Sequence, residues 1–270
     1  MHTLPARLSR DRPGAGDRPG HRRVAACPAL DVQLWVLAVA ALAMFVGASV
    51  QGAVGFGAAL LAAPVLALLD PRFVPAPVIL AALVLNLLVM RREPGRHHWR
   101  ETVWPILGLL PGSFAGAAVL AVATDRDGLG VLFGVLILAS VALSASGLHP
   151  RRSPGVLVGA GAIGGFMQAT VGAGGPPVAL AYQDASGPDL RGGLSRYFLV
   201  SCVVSLGMLA VFGQLSWLDV EVGAAMVPGA VAGFAVSGRV KDHVDAGPVR
   251  LAVLALAALG GLTVFVKALW

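Results

Sequence analysis

The sequence predicts an all-α polytopic membrane protein of about eight transmembrane segments in two homologous repeats, each with a glycine-broken first helix. Three observations carry this expectation. Of 270 residues, 57% are hydrophobic and only 13% charged, against ~25% charged in an average soluble domain. Mean hydropathy is +0.79, more apolar surface than a soluble fold can hide. The uncharged runs have the length of spanning helices, and two sequence motifs recur at one fixed offset.

A spanning helix needs about 20 mostly apolar residues. Uncharged runs cover residues 32–69, 74–90, 103–122, 129–148, 155–183, 197–218, 222–238 and 251–266. The first and the fifth are too long for one simple span, and glycine clusters at 52–57 and 172–175 interrupt them. The other six have ordinary spanning length. Before them, residues 1–31 carry Arg7, Arg10, Arg12, Arg18, Arg22 and Arg23 with two Pro-Gly pairs and no apolar periodicity. That is the composition of a disordered tail, read here as cytoplasmic.

Charge sits in the connections. The stretch Arg91-Arg92-Glu93-Pro94-Gly95-Arg96-His97-His98-Trp99-Arg100 and the stretch His149-Pro150-Arg151-Arg152 are basic, whereas Thr124-Asp125-Arg126-Asp127 is net negative. Placing the tail inside puts both basic loops inside and the acidic one outside, as the positive-inside bias requires. The same count places Arg239-Val240-Lys241-Asp242-His243 outside and residues 214–221 inside, against the bias. Two alternatives stand at this point: the loops are too weakly charged to decide, or the second half is inverted and one broken segment does not cross simply. The net charge of +6 is not a nucleic-acid signal, because these basic residues orient helices and no stacking aromatics interleave them. Cys27 and Cys202 provide neither a metal-ligand spacing nor a disulfide framework. Trp99, Trp104 and Trp217 fit an interfacial aromatic belt.

The repeat is the strongest signal. Gln51-Gly52-Ala53-Val54-Gly55-Phe56-Gly57 aligns with Gln168-Ala169-Thr170-Val171-Gly172-Ala173-Gly174, and Pro111-Gly112-Ser113-Phe114-Ala115-Gly116 aligns with Pro228-Gly229-Ala230-Val231-Ala232-Gly233. Both pairs have an offset of 117 residues, 51 to 168 and 111 to 228, and Gly47 on Gly164 keeps the register. The repeats cover residues 32–148 and 155–270. A duplicated unit with a glycine-broken helix in each copy is the sequence pointer to a secondary transporter's binding site. In hydrocarbon, unwound backbone survives only where protein buries it or it lines a cavity. A half-helix starting after the break turns free N–H groups and its positive dipole end toward that cavity, which suits an anion. The candidate binding residues are therefore Gln51, Gly55, Phe56, Gly57, Gln168, Gly172, Gly174, Gly175 and Pro176. The second break is richer in glycine and proline and is expected to dominate. By contrast, Gly112-x-x-x-Gly116 and Gly229-x-x-x-Gly233 have the spacing of close helix packing.

Other polar residues at membrane depth extend the set. Asn86, in the second helix, bonds a neighbour or lines the cavity; Arg196 neutralises an anion or reaches the headgroups. Arg191, next to Asp189, and Asp184 read as interfacial, and His97 and His98 as solvated. Paired membrane-depth carboxylates, a zinc-binding histidine pair and a phosphate loop are all missing from the sequence. An enzyme is not expected, and neither cofactor nor metal is called for.

The stretch from Gln51 to Pro64, its counterpart from Gln168 to Pro177, and the loop ending Trp99-Arg100 with Pro111-Gly112-Ser113-Phe114-Ala115-Gly116 resemble the sulfite exporter TauE/SafE family. The resemblance covers essentially everything after the tail. It implies a bacterial inner-membrane permease for small sulfur-containing or organic anions such as sulfite, sulfonates or sulfoacetate. The sequence departs from the family's pattern where Gly57 is followed by Ala58-Ala59. The expected function is thus a secondary transporter of a small oxyanion, with the lipid bilayer and the anion as partners and room for a homo-oligomer. A non-transporting scaffold or sensor subunit and a metal-cation permease are the alternatives.

Overall fold

Both over-long apolar runs divide at their glycines and turn back. The computed structural model describes residues 34–93, 99–123, 125–182, 187–240 and 246–270. Among them lie the helices α1 (Leu34–Val54), α2 (Ala58–Leu69), α3 (Ala76–Arg92), α4 (Trp99–Val122), α5 (Arg126–Ala145), α6 (Pro154–Val171), α7 (Gly175–Ala181), α8 (Gly187–Val211), α9 (Trp217–Val240) and α10 (Ala246–Leu269), with a 3-10 turn at Pro71–Phe73. The described residues contain no strand. Eight helices are long and apolar enough to cross a membrane, and α2 and α7 are the short additions. The N-terminal tail, His97, His98 and Asp184 lie outside the described residues.

Local chemistry sets the ends. Asp125 caps α5 by accepting from the Gly128 N–H, and Ser153 caps α6 with Pro154 in its first turn, where a missing N–H costs nothing. The reversal after α1 uses Gly55 and Gly57 at φ 104° and 121°, and that after α6 uses Gly172 at φ 78°. These conformations favour glycine.

The direction of each helix follows from its side-by-side contacts. Ala41 and Phe45 of α1 meet Gly229 and Gly233 of α9, while Leu80 and Arg92 of α3 meet Gly223 and Ser237. Thus α1, α3 and α9 run in one direction. Pro105 and Leu109 of α4 meet Gly161 and Gly165 of α6; Tyr197 and Cys202 of α8 meet Gly161 and Gln168. Hence α4, α6 and α8 also run together. The two groups are opposed, because Asn86 of α3 meets Cys202 while Glu93 meets Arg191 near the start of α8. In the same way α2 runs with α10, since Pro64 meets Gly260 and Leu68 meets Lys267, and α5 runs against α10, since Gly130 meets Ala268 and Gly134 meets Phe265. Each of α1 to α5 therefore runs opposite to the helix five places later.

This arrangement corrects the sequence-based sidedness. Because α6 and α7 form a hairpin instead of one crossing, Arg239 lies at the same end of the bundle as Arg91, Arg92, Arg151 and Arg152. Asp70, Asp125, Asp127, Asp219 and Glu221 lie at the other end together with Arg72, Arg126 and Lys267, so among the described residues the first end is net basic and the second net acidic. The hairpin α1–α2 has a second consequence. Leu34 starts α1 at the acidic end, opposite the basic loops. Trp35 and Trp217 at the acidic end and Trp104 near the basic end are exposed, as aromatic residues at two interfaces are; the Trp99 side chain lies outside the described residues.

The predicted small residues make close helix contacts. A Cβ added at Gly112 would lie 2.0 Å from the Ala162 carbonyl oxygen, and one at Gly229 would lie 2.1 Å from that of Ala41. These contacts are pure packing, the main attraction available between helices in lipid. We expect Gly112→Leu to lower the thermal midpoint in detergent sharply, since overpacking costs about 1–3 kcal/mol or more. Gly207→Ala, whose Cβ would meet nothing within 4 Å, should leave it unchanged. Equal midpoints for the two variants would overturn the packing assignment.

Candidate functional site

The two hairpins bring their tips to one small cavity. Gln51 in the last turn of α1 is buried, and its Oε1 accepts from the Ala58 N–H at the start of α2 (3.1 Å). Gln168 in the last turn of α6 is likewise buried, and its Oε1 accepts from the Gly174 N–H just before α7 (3.1 Å). A backbone N–H can only donate, so each of these bonds fixes its carboxamide with the oxygen on the backbone and the NH2 group pointing away. The consequences propagate. Gln51 Nε2 donates to Asn86 Oδ1 (2.9 Å), Asn86 is thereby oriented, and its Nδ2 donates to Cys202 Sγ (3.8 Å). Gln168 Nε2 donates to the same sulfur (3.8 Å). One polar chain thus joins the two turns through α3 and α8.

The cavity between them has a volume of about 30 Å³, room for about two waters or one small ion. Gln51, Phe56, Gly57, Asn86, Gln168, Gly172, Gly175 and Pro176 line it, together with Ala59, Leu60, Ala82, Ala173 and Phe198. Three sequence candidates are placed elsewhere. Gly55 turns its open side to the Arg191 stem, Gly174 presses on the Gly164 carbonyl, where a Cβ would come within 2.1 Å, and Arg196 is buried outside the lining.

Each carboxamide carries two N–H groups and spends one in this chain, so three amide N–H donors remain uncommitted among the described residues. The start of α2 adds more. The Ala59 and Leu60 N–H groups, in its first turn, have no intrahelical partner, and both residues line the cavity. The α7 hairpin is poorer, because Pro176 and Pro177 carry no N–H and the helix has only 7 residues. The expectation that the second break dominates took proline density for polarity, whereas proline removes donors. Among the described residues no charged side chain lines the cavity. It is an uncharged set of donors.

Sequence reasoning missed Cys202 and Phe198, which share a face of α8 with no motif around them. It also took Arg191 as interfacial, whereas Arg191 donates to Glu93, 98 positions earlier, and to the Ala53 carbonyl. A lone acid between arginines at the end of an apolar run, as Glu93 is, was the available signal.

Helices of spanning length around a central polar cavity, with two chain reversals at it, define the class: a multi-pass membrane protein of transporter type. The chain belongs to the sulfite exporter TauE/SafE family, whose family model matches residues 39–264. Comparison with curated proteins and with solved structures gives no match.

The capping role of the glutamines is testable without substrate. Gln51→Leu leaves the Ala58 N–H and the Asn86 oxygen buried and unbonded, at about 1–3 kcal/mol for each such group. A thermal midpoint clearly below that of the parent protein in the same detergent is expected. An unchanged midpoint would show that the bond to Ala58 is dispensable.

Proposed function

We propose that the cavity is the substrate site of a secondary transporter carrying a small sulfur-containing or organic oxyanion, such as sulfite or a sulfonate, across the bacterial inner membrane. The observation that carries this reading is the sense of the hydrogen bonds. The oxygens of Gln51, Gln168 and Asn86 each accept from a protein donor, while one N–H of each carboxamide remains uncommitted. An oxyanion accepts and a cation does not, so the lining selects by sign without a charged residue. Family membership supports the same reading, and the donor set disfavours a metal-cation permease.

The proposal includes the architecture. Residues 32–148 and 155–270 are two copies of one unit in inverted orientation, each with a glycine-broken first helix. The 117-residue offset between Gln51 and Gln168 supports this, as does the opposite sense of every helix and its counterpart. Inverted repeats with discontinuous helices meeting near the membrane centre are a recurrent transporter plan.

Flux of sulfite and of a panel of sulfonates into liposomes holding the purified protein tests the proposal, and no flux of any anion in a broad panel would sink it. Gly175→Val is the informative variant. Its Cβ would meet Phe198 and Phe56 at 3.4 and 3.5 Å, an ordinary contact, so the protein should fold while the branched side chain fills the cavity. We expect flux to fall at least about tenfold, on the order of 1.4 kcal/mol. Gly174→Val would be uninformative because it collides with Gly164. Asn86→Leu should weaken anion affinity, and because it leaves Gln51 Nε2 without its acceptor it should lower the thermal midpoint as well.

A further inference from the structure

Beyond the cavity, the basic end of the bundle carries a buried charged cluster that the binding site does not use. Arg92, the last residue of α3, donates through Nη2 to the Gly52 carbonyl (2.7 Å) and through Nη1 to Ser237 Oγ (3.0 Å) and the Phe234 carbonyl (3.1 Å). Its guanidinium also lies 4.0 Å over the Phe234 ring. Arg191, near the start of α8, pairs with Glu93 and donates to the Ala53 carbonyl (3.4 Å). Glu93 is 6% exposed. Two guanidinium groups thus hold the carbonyls of the last turn of α1, where the helix dipole is negative, and tie that turn to α3, α8 and α9. The same turn holds Gln51 and leads into the glycine reversal.

The other end of the bundle is different. A cleft of about 450 Å³ opens there, with Val74 and Leu120 in its wall. In the 117-residue register, Val74 corresponds to Arg191 and Leu120 to Ser237, while Arg92 and Glu93 correspond to Leu209 and Ala210. The positions that bridge helices by charge at the basic end are apolar at the acidic end.

We propose that Arg92, Glu93 and Arg191 form a latch that seals the basic-end access to the cavity, and that the structure is the state closed there and open at the acidic end. Ion pairs suit this task. They fix a discrete geometry, and removing one partner leaves the other buried and uncompensated, so the closed arrangement is lost as a unit. Opening requires the end of α1 to part from α3 and α8, which would uncover the Gln51 side of the cavity.

The inference rests on the cavity being on the transport path, but its test needs no substrate. A Cys27→Ser, Ala59→Cys protein in oriented membrane vesicles is exposed to a small, charged, membrane-impermeant thiol reagent from one face at a time. Slow labelling from the basic face and faster labelling from the acidic face are expected in the parent. Glu93→Gln should raise the basic-face rate at least about tenfold, or about 1.4 kcal/mol in the closed–open equilibrium. Glu93→Lys should do the same, whereas Glu93→Asp, which keeps the charge, should stay nearer the parent's rate than Glu93→Gln does, an outcome a general loss of fold cannot give. The latch is refuted if the basic-face rate is the same in the parent and in Glu93→Gln, or if Glu93→Asp is as open as Glu93→Gln. Unaltered labelling asymmetry with absent anion flux would count against the transport reading alone.

Discussion

Two helices stop and reverse inside the bundle, and the backbone groups exposed by those reversals constrain everything around them. A buried N–H without a partner costs on the order of 1–3 kcal/mol, and in lipid no water makes up the loss. The chain answers with a glutamine in the turn before each reversal. Its side chain is long enough to reach the first N–H of the returning strand of chain, at Ala58 in one case and Gly174 in the other. Only a carboxamide completes the task in this way, because it offers an oxygen to the backbone and still presents donors on the far side. The polar cavity is therefore a consequence of the caps. Orienting Gln51 orients Asn86, and orienting Asn86 and Gln168 turns both toward Cys202.

How much of this was legible depends on the range of the interaction. The glutamines and the reversals stand next to each other in sequence, and the 117-residue offset made both visible. The helix count was also legible, since apolar length is a local property. Whether an over-long apolar run crosses the membrane or folds back was not, because a hydropathy pattern is the same in either case. The only trace lay in the loops, where Arg239 and Lys241 fell on the wrong side of a simple count. Cys202 was invisible for a different reason. A cysteine in an apolar run is ordinarily core, and this one acquires its role from the placement of α8 against α3 and α6. Arg191 behaves alike, since its partner Glu93 comes from the other half of the chain. Proline misled in the opposite direction, as its density at α7 marks a helix start but removes the donors such a start would offer.

The halves do not stand as separate bodies. The glycines of α4 close on α6, those of α9 close on α1, and α3 and α5 meet α8 and α10, so the main contacts cross from one half to the other. Residues from 32 onward cluster as one unit. Under the proposed repeat, residues 149–154 therefore divide two copies within one body. This interlocking matters at the centre. Cys202 accepts from Asn86 of the first half and Gln168 of the second, so a shift at either reversal disturbs the hydrogen bonds that orient the other. Two sites of chain reversal joined by shared side chains have the physical continuity that coupling between them requires.

The location of the charges completes the logic of an anion site under this reading. A guanidinium facing an anion across 4 Å at an effective dielectric near 20 contributes about 4 kcal/mol, a large part of the binding energy of a molecule of four or five heavy atoms. A carrier that holds its cargo so firmly would release it slowly. Arg92 and Arg191 stand close to the end of α1, yet their charge is directed to Glu93 and to the carbonyls of Gly52 and Ala53. The cavity itself keeps only neutral donors. Each neutral hydrogen bond is worth roughly 1 kcal/mol net, so several of them give selectivity for an acceptor-rich ligand at moderate affinity. The same side chains that could have made a tight binding site instead fix the helix end whose movement would let the ligand leave.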